Sequence, residues 1–90
     1  MELSHKREIE MKVIRYNGRR NISGNRVREA RLKLRLSQQQ LAARTQTEGV
    51  PLEQDAVSRI ESGTRLVQDF ELKALARALR VSVDWLLDDE

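Results

Sequence analysis

The chain has 90 residues, is 39% hydrophobic and lacks cysteine, which allows one small domain and excludes disulfides, a thiolate nucleophile and cysteine-ligated zinc. Its formal net charge of +3 is unevenly distributed, because residues 1–36 carry eleven Lys/Arg against four acids and residues 37–90 carry six against ten. This asymmetry favours an anionic partner, although a solvated helix with a charged tail explains it equally well.

Residues 1–22 are predicted to form an N-terminal arm ahead of a domain at 23–88. Residues 9–13 alternate in polarity like a strand, and Asn17-Gly18 is typical of a hairpin turn. A frayed helix or a disordered arm fits the same residues. The arm is therefore either a disordered leader or a basic element that follows phosphates or a minor groove, through Arg15, Arg19 and Arg20.

The first helix is predicted by the apolar stripe Val27, Ala30 and Leu34, which repeats at helical spacing. Asn25 is of a residue type that caps helix N-termini and is taken as the start. Cations in the last turn suit the helix dipole. They are Arg31, Lys33 and Arg35.

The second helix carries a strong start signal, since Ser37 followed by Gln40 forms a capping box. Leu36 and Leu41 occupy the flanking positions of a hydrophobic staple. The helix is predicted to begin at Gln38 and to fade over residues 46–48. Gln38 and Gln39 then point outward from its first turn.

A third helix is predicted over residues 54–61, after the chain break at Gly49-Val50-Pro51 and before Gly63, which suits a left-handed C-cap. Val57 and Ile60 form its buried face. Its outer face carries the polar side chains of Gln54, Asp55, Ser58 and Arg59.

Two further helices are predicted to cover the first three. The fourth is expected to start at Asp69 as its cap, with the stripe Leu72, Leu75, Ala76 and Leu79. Ser82 is expected to cap a short fifth helix that packs back through Val83, Leu86 and Leu87. Trp85 fits either the core or a dimer contact.

Helices two and three, joined by a turn, have the arrangement of a helix-turn-helix, whose second helix enters the DNA major groove. The outer side chains of this recognition helix are suited to base edges. Gln54 matches adenine, Arg59 guanine or a phosphate, Asp55 cytosine N4, and Ser58 several bases. The alternatives are solvent exposure for Gln54 and Arg59, and stabilisation of the helix end for Asp55.

Four segments resemble, in order and spacing, the lambda-repressor/Cro-like (XRE-type) helix-turn-helix family. They are GNRVREAR, LSQQQLA, AVSRIESG and LKALARALRVSVDWLL, within residues 24–87. The resemblance implies an all-α, five-helix bundle, preceded here by the short arm, that binds duplex DNA as a repressor-like transcriptional regulator.

The resemblance also implies roles for individual residues. Gln38 would contact a phosphate and brace the recognition helix, while Gln54 and Asp55 would reach bases. Ser58 and Arg59 follow one turn later. Backbone contacts would come from the loop residues Thr64 and Arg65, and Gln39 is a further candidate.

Two features depart from the family pattern. The connection around residues 47–51 is longer than in the shortest members, which affects the register of Gln54 and Asp55 on DNA. Arg35 stands where a glycine often ends the first helix.

Glu61, in the Arg-Ile-Glu-x-Gly ending of helix three, is expected to pair with an arginine such as Arg31 and to have a structural role.

Catalysis is not expected, because His5 is the only histidine and the sequence offers no Ser–His pair, paired acids or glycine-rich phosphate loop. No metal or cofactor is expected. With no long apolar run and no apolar signal-peptide region, the chain is expected to be cytoplasmic without a membrane partner. The predicted partners are double-stranded DNA and a second copy of the chain. The alternative is a protein–protein regulatory module on the same fold, either antitoxin-like or the target of an anti-repressor.

Overall fold

The computed structural model describes residues 15–88 and contains five helices in that range. They are α1 (Gly24–Lys33), α2 (Gln38–Thr47), α3 (Gln54–Ser62), α4 (Asp69–Leu79) and α5 (Val83–Leu86). Within the described range, extended pairing is limited to one bridge between Tyr16 and Arg19. The predicted all-α, five-helix class is therefore confirmed. The strand-like residues 9–13 lie outside the described part of the chain.

One apolar core is shared by all five helices. Side chains with at most 2% exposure come from each of them, namely Val27, Leu41, Val57, Ile60, Leu75, Leu79 and Leu86. Trp85 is half-buried at the margin of this core, where the Arg26 guanidinium lies 4.5 Å from its ring centroid. Leu87 is 41% exposed, so the prediction that it packs back is wrong. In a helix as short as α5 the inward position belongs to Leu86, and the next residue points about 100° away.

Local capping chemistry sets several helix ends as predicted. The Gln40 backbone N–H donates to Ser37 Oγ at 3.0 Å, and the Ser37 N–H donates to Gln40 Oε1 at 2.8 Å. Gly63 ends α3 with φ of +81°, a conformation that favours glycine. Ser82 Oγ accepts a hydrogen bond from the Trp85 N–H at 3.0 Å, which starts α5.

Two predicted caps are wrong. The N-cap of α1 is Ser23, two residues before Asn25, because residues 19–21 are tied to α3 and Gly24 packs directly on its end. A Cβ on Gly24 would lie 2.3 Å from the Ile60 carbonyl oxygen. The N-cap of α4 is Gln68 rather than Asp69, since the Gln68 N–H donates to Glu71 Oε1 at 3.0 Å.

The turns before and after α2 determine where α3 lies. At the end of α1, Arg35 adopts the left-handed conformation with φ of +59°, so an arginine makes the turn that glycine makes more easily. After α2, Gly49 has φ of +83° and the Val50 N–H donates to the Thr45 carbonyl at 3.0 Å. Leu52 is then buried in the core, and its packing there anchors the long connection between α2 and α3.

Candidate nucleic-acid interface

The outer face of α3 lies opposite the side chains that the helix buries in the core. Val57 and Ile60 are fully buried, so the residues on the opposite arc of the helix face outward. Gln54, Asp55 and Arg59 are exposed, as predicted. Ser58 is half-buried between this face and the core. A rigid helix therefore presents a short row of polar side chains.

Gln38 connects the start of α2 to both ends of α3. Its Nε2 donates to Glu61 Oε1 at 3.0 Å, and its Oε1 accepts from Gln54 Nε2 at 2.8 Å. Gln38 thus braces α3 against the start of α2 through two side-chain hydrogen bonds. Gln39, beside it, is exposed in the first turn of α2.

Behind this face, Glu61 forms a buried ion pair with Arg31 of α1. Arg31 Nε lies 2.6 Å from Glu61 Oε2, and Nη2 donates to Oε1 at 3.0 Å. Arg31 Nη1 also donates to the Leu36 carbonyl at 2.8 Å. The hydrogen bond with Glu61 raises the pKa of Arg31 although burial opposes it. The predicted structural pairing of Glu61 with Arg31 is confirmed, and together with the Gln38 hydrogen bond to Glu61 it links α1, α2 and α3.

On the outer face, Asp55 and Arg59 form an exposed ion pair one helical turn apart. Arg59 Nη2 lies 2.5 Å from Asp55 Oδ2, and Arg59 Nε donates to the same oxygen at 3.2 Å. Their side chains are 72% and 62% exposed respectively. The roles predicted for Asp55 and Arg59 are separate ones, although the i, i+4 spacing of an acid before an arginine is a sequence signal for the pair.

A basic concavity of about 320 Å³ lies beside the C-terminal end of α3. Its polar lining includes the predicted Arg59, Thr64 and Arg65, together with Arg20 from the segment before α1. Arg65 Nη1 and Nη2 donate to the Glu71 carboxylate at 2.9 and 3.1 Å, and this contact lowers the pKa of Glu71. Arg20 is exposed, and no carboxylate pairs with it among the described residues.

Arg20 reaches this position because residues 19–21 clasp the end of α3. The Arg20 N–H donates to the Gly63 carbonyl at 2.8 Å, and Arg19 Nη2 donates to the Glu61 carbonyl at 3.2 Å. Asn21 Nδ2 donates to the carbonyls of Ile60 and Arg65 at 3.1 and 2.9 Å. The Asn17-Gly18 turn that precedes them is also present, with φ of +52° and +78°.

This clasp assigns different positions to the arginines of the predicted arm. Arg19 is turned inward over Gly63, where it meets the negative end of the α3 dipole. Arg20 faces the concavity. The sequence pattern predicted both only as members of a possible basic arm and did not place either of them beside α3. Nothing in the sequence pattern indicated the role of Asn21.

The structure thus brings most candidate residues together along α3 and at its C-terminal end. Among residues 15–88, no group of three or more metal-ligating side chains is present. No helix in that part of the chain is both long and apolar enough to cross a membrane. A protein-family model described as helix-turn-helix, HTH_3, matches residues 27–86, from α1 to the end of α5. No curated protein matches the chain significantly.

Proposed function

We propose that this chain, which belongs to the helix-turn-helix family HTH_3 of XRE and lambda-repressor type, recognises a specific duplex sequence by inserting α3 into the major groove. Membership of this family makes it a DNA-binding regulator in general terms. The main support for sequence-specific recognition through α3 is the row of polar side chains on its outer face, next to an arginine-lined concavity.

In this proposal, base contacts and phosphate contacts come from different residues. Gln54 suits the adenine edge, Arg59 the guanine edge, and Ser58 and Asp55 are the further base-reading candidates. Phosphates, which position a protein without reading sequence, are assigned to residues around this row. They are Gln38 and Gln39 at the start of α2, Thr64 and Arg65 after α3, and Arg20 from the clasp.

A homodimer on a two-fold related site is part of the proposal. The outer face of α3 is short and reads only a few base pairs, and a helix-turn-helix usually gains discrimination by repeating its half-site through two-fold symmetry. We further propose that residues 23–88 are the DNA-binding domain and residues 1–22 the arm, of which Arg20 contributes to binding.

The division between the two classes of contact is testable with alanine variants. Selection from a random duplex library supplies a cognate duplex, and affinities are then measured on it and on a scrambled duplex. Gln54→Ala and Arg59→Ala should reduce the preference for the cognate duplex. Arg20→Ala and Arg65→Ala should weaken binding to both duplexes alike and reduce the salt dependence of binding.

Arg77→Ala is the matched control, because Arg77 is an exposed arginine near the end of α4, which packs on α1, α2 and α5. It should leave both affinities close to the wild-type values. Equal losses on cognate and scrambled DNA for all four site variants would contradict the division of contacts. Binding that does not change with salt would favour the protein–protein alternative.

A further inference from the structure

We infer that Asp55 and Arg59 act as one guanine-reading unit, in which the carboxylate positions the guanidinium and suppresses its binding to phosphates. This inference rests on the proposed insertion of α3 into the major groove. It assigns Asp55 the role of positioning Arg59. This role differs from stabilising the helix end and from contacting cytosine independently.

The geometry of the pair determines which donors remain. A guanidinium has five N–H donors in a fixed planar fork. Arg59 uses Nε and one N–H of Nη2, which lie on the same edge, to donate to Asp55 Oδ2. The other edge, formed by one N–H of Nη1 and the second N–H of Nη2, has no hydrogen-bond acceptor among residues 15–88. Two parallel donors of this kind match guanine O6 and N7.

The carboxylate also reduces the freedom of a long side chain. An unpaired arginine samples many rotamers and loses that freedom on binding, which weakens the contact. The Asp55 carboxylate lies one helical turn before Arg59 and at the positive end of α3, where its charge is favoured. A guanidinium held by two donors to Oδ2 is therefore already directed before DNA arrives.

Charge gives the pair a second effect. Asp55 neutralises Arg59 in the free protein and repels phosphates, so this arginine gains little from contacting the DNA backbone nonspecifically. Base edges in the major groove carry partial charges only and provide hydrogen-bond acceptors without the same repulsion. The pair should therefore raise the ratio of specific to nonspecific affinity more than the affinity itself.

The test compares guanine preference in wild type, Asp55→Asn, Arg59→Ala and the double variant. Guanine preference is a ratio of two affinities. It is the affinity for the selected duplex divided by the affinity for a duplex in which the guanine assigned to Arg59 is replaced in each half-site. Wild type should show a preference of roughly tenfold or more, and Arg59→Ala should abolish it. Asp55→Asn should lower it several-fold and strengthen binding to scrambled DNA. It should have no further effect on guanine preference when Arg59 is already absent.

Glu53→Gln is the matched control, since Glu53 is an exposed carboxylate that precedes α3 and makes no side-chain cap hydrogen bond. Glu53→Gln should strengthen binding to the selected duplex and to scrambled DNA equally, without changing guanine preference. Thermal unfolding of each variant verifies that the fold is intact.

If Asp55→Asn behaves like Glu53→Gln, Asp55 only repels DNA and the inference is wrong. If a site is selected but its guanine preference does not depend on Arg59, the inference is also wrong while the proposed function stands. If wild type selects no sequence, both the inference and the proposed function fail.

Discussion

Helix α3 takes part in two arginine–carboxylate pairs, one with Arg31 of α1 and one within α3, that have the same chemistry and opposite environments. In the Arg31–Glu61 pair the side chains are 10% and 4% exposed, whereas in the Asp55–Arg59 pair they are 72% and 62% exposed. In the buried pair the two side chains bond to each other, Arg31 also donates to the Leu36 carbonyl, and Glu61 also accepts from Gln38 of α2. In the exposed pair, one guanidinium edge of Arg59 is left without an acceptor in the described part of the chain. Burial therefore separates the pair that holds the helix from the pair that is available to a partner.

A third pair, Arg65–Glu71, lies between these extremes, with side chains 30% and 9% exposed. It connects the loop after α3 to the first turn of α4. The three pairs form a graded series in which the loss of stability on disruption should follow burial, because solvent screens exposed charges and leaves buried ones uncompensated.

The largest expected effect is that of removing the buried carboxylate. Glu61→Ala leaves the Arg31 guanidinium without its partner in a buried position and also removes an acceptor from Gln38. We expect the free energy of unfolding to fall by about 3–5 kcal/mol. Urea denaturation measures this change. A loss below about 1 kcal/mol would show that burial does not distinguish the two pairs on α3.

An intermediate effect is expected at Glu71, together with a pH dependence. Arg65 holds the pKa of Glu71 below its ordinary value of 4.5, aided by the Gln68 backbone N–H. Because the pKa is lower in the folded than in the unfolded state, this stabilisation is present above about pH 4.5 and is lost as the pH falls through the folded-state pKa.

We therefore expect Glu71→Gln to lower the free energy of unfolding at pH 7 by about 1–3 kcal/mol and to flatten its decline in acid. Urea denaturation at a series of pH values between 7 and about 3 compares the variant with wild type. An unchanged acid decline in the variant would mean that other carboxylates produce it.

The smallest effect on stability is expected for the exposed pair. Asp55→Ala and Arg59→Ala should each change the free energy of unfolding by no more than about 0.5 kcal/mol, since such i, i+4 pairs are weak in water. Thermal unfolding followed by circular dichroism checks this. A loss comparable to that of Glu61→Ala would remove the contrast between the pairs and point to a structural role for Asp55.

The sequence predicted the parts of this molecule that depend on short-range chemistry. The Ser37–Gln40 capping box, the left-handed Gly63 and the inward pair Val57 and Ile60 each follow from residues within one or two turns. The Arg31–Glu61 pair spans 30 residues, and it was predicted as a structural pairing between helices one and three.

What the sequence did not predict depends on contacts with backbone atoms that are distant in the chain. The start of α1 at Ser23 follows from the close approach of Gly24 to α3. The clasp by residues 19–21 uses carbonyl acceptors that any residue type supplies, about 40 positions later in the chain. Such acceptors leave no pattern in the sequence, which is why the position of Arg20 beside α3 was not predicted.

The central claim is that the outer face of α3 selects a DNA sequence, and selection by the wild-type chain from a random duplex library tests it most directly. The account predicts enrichment of a partly palindromic site, with a guanine in each half and half-sites about one helical turn apart. Failure to enrich any sequence at near-physiological salt would contradict it, and the same face would then have to be assigned to a protein partner.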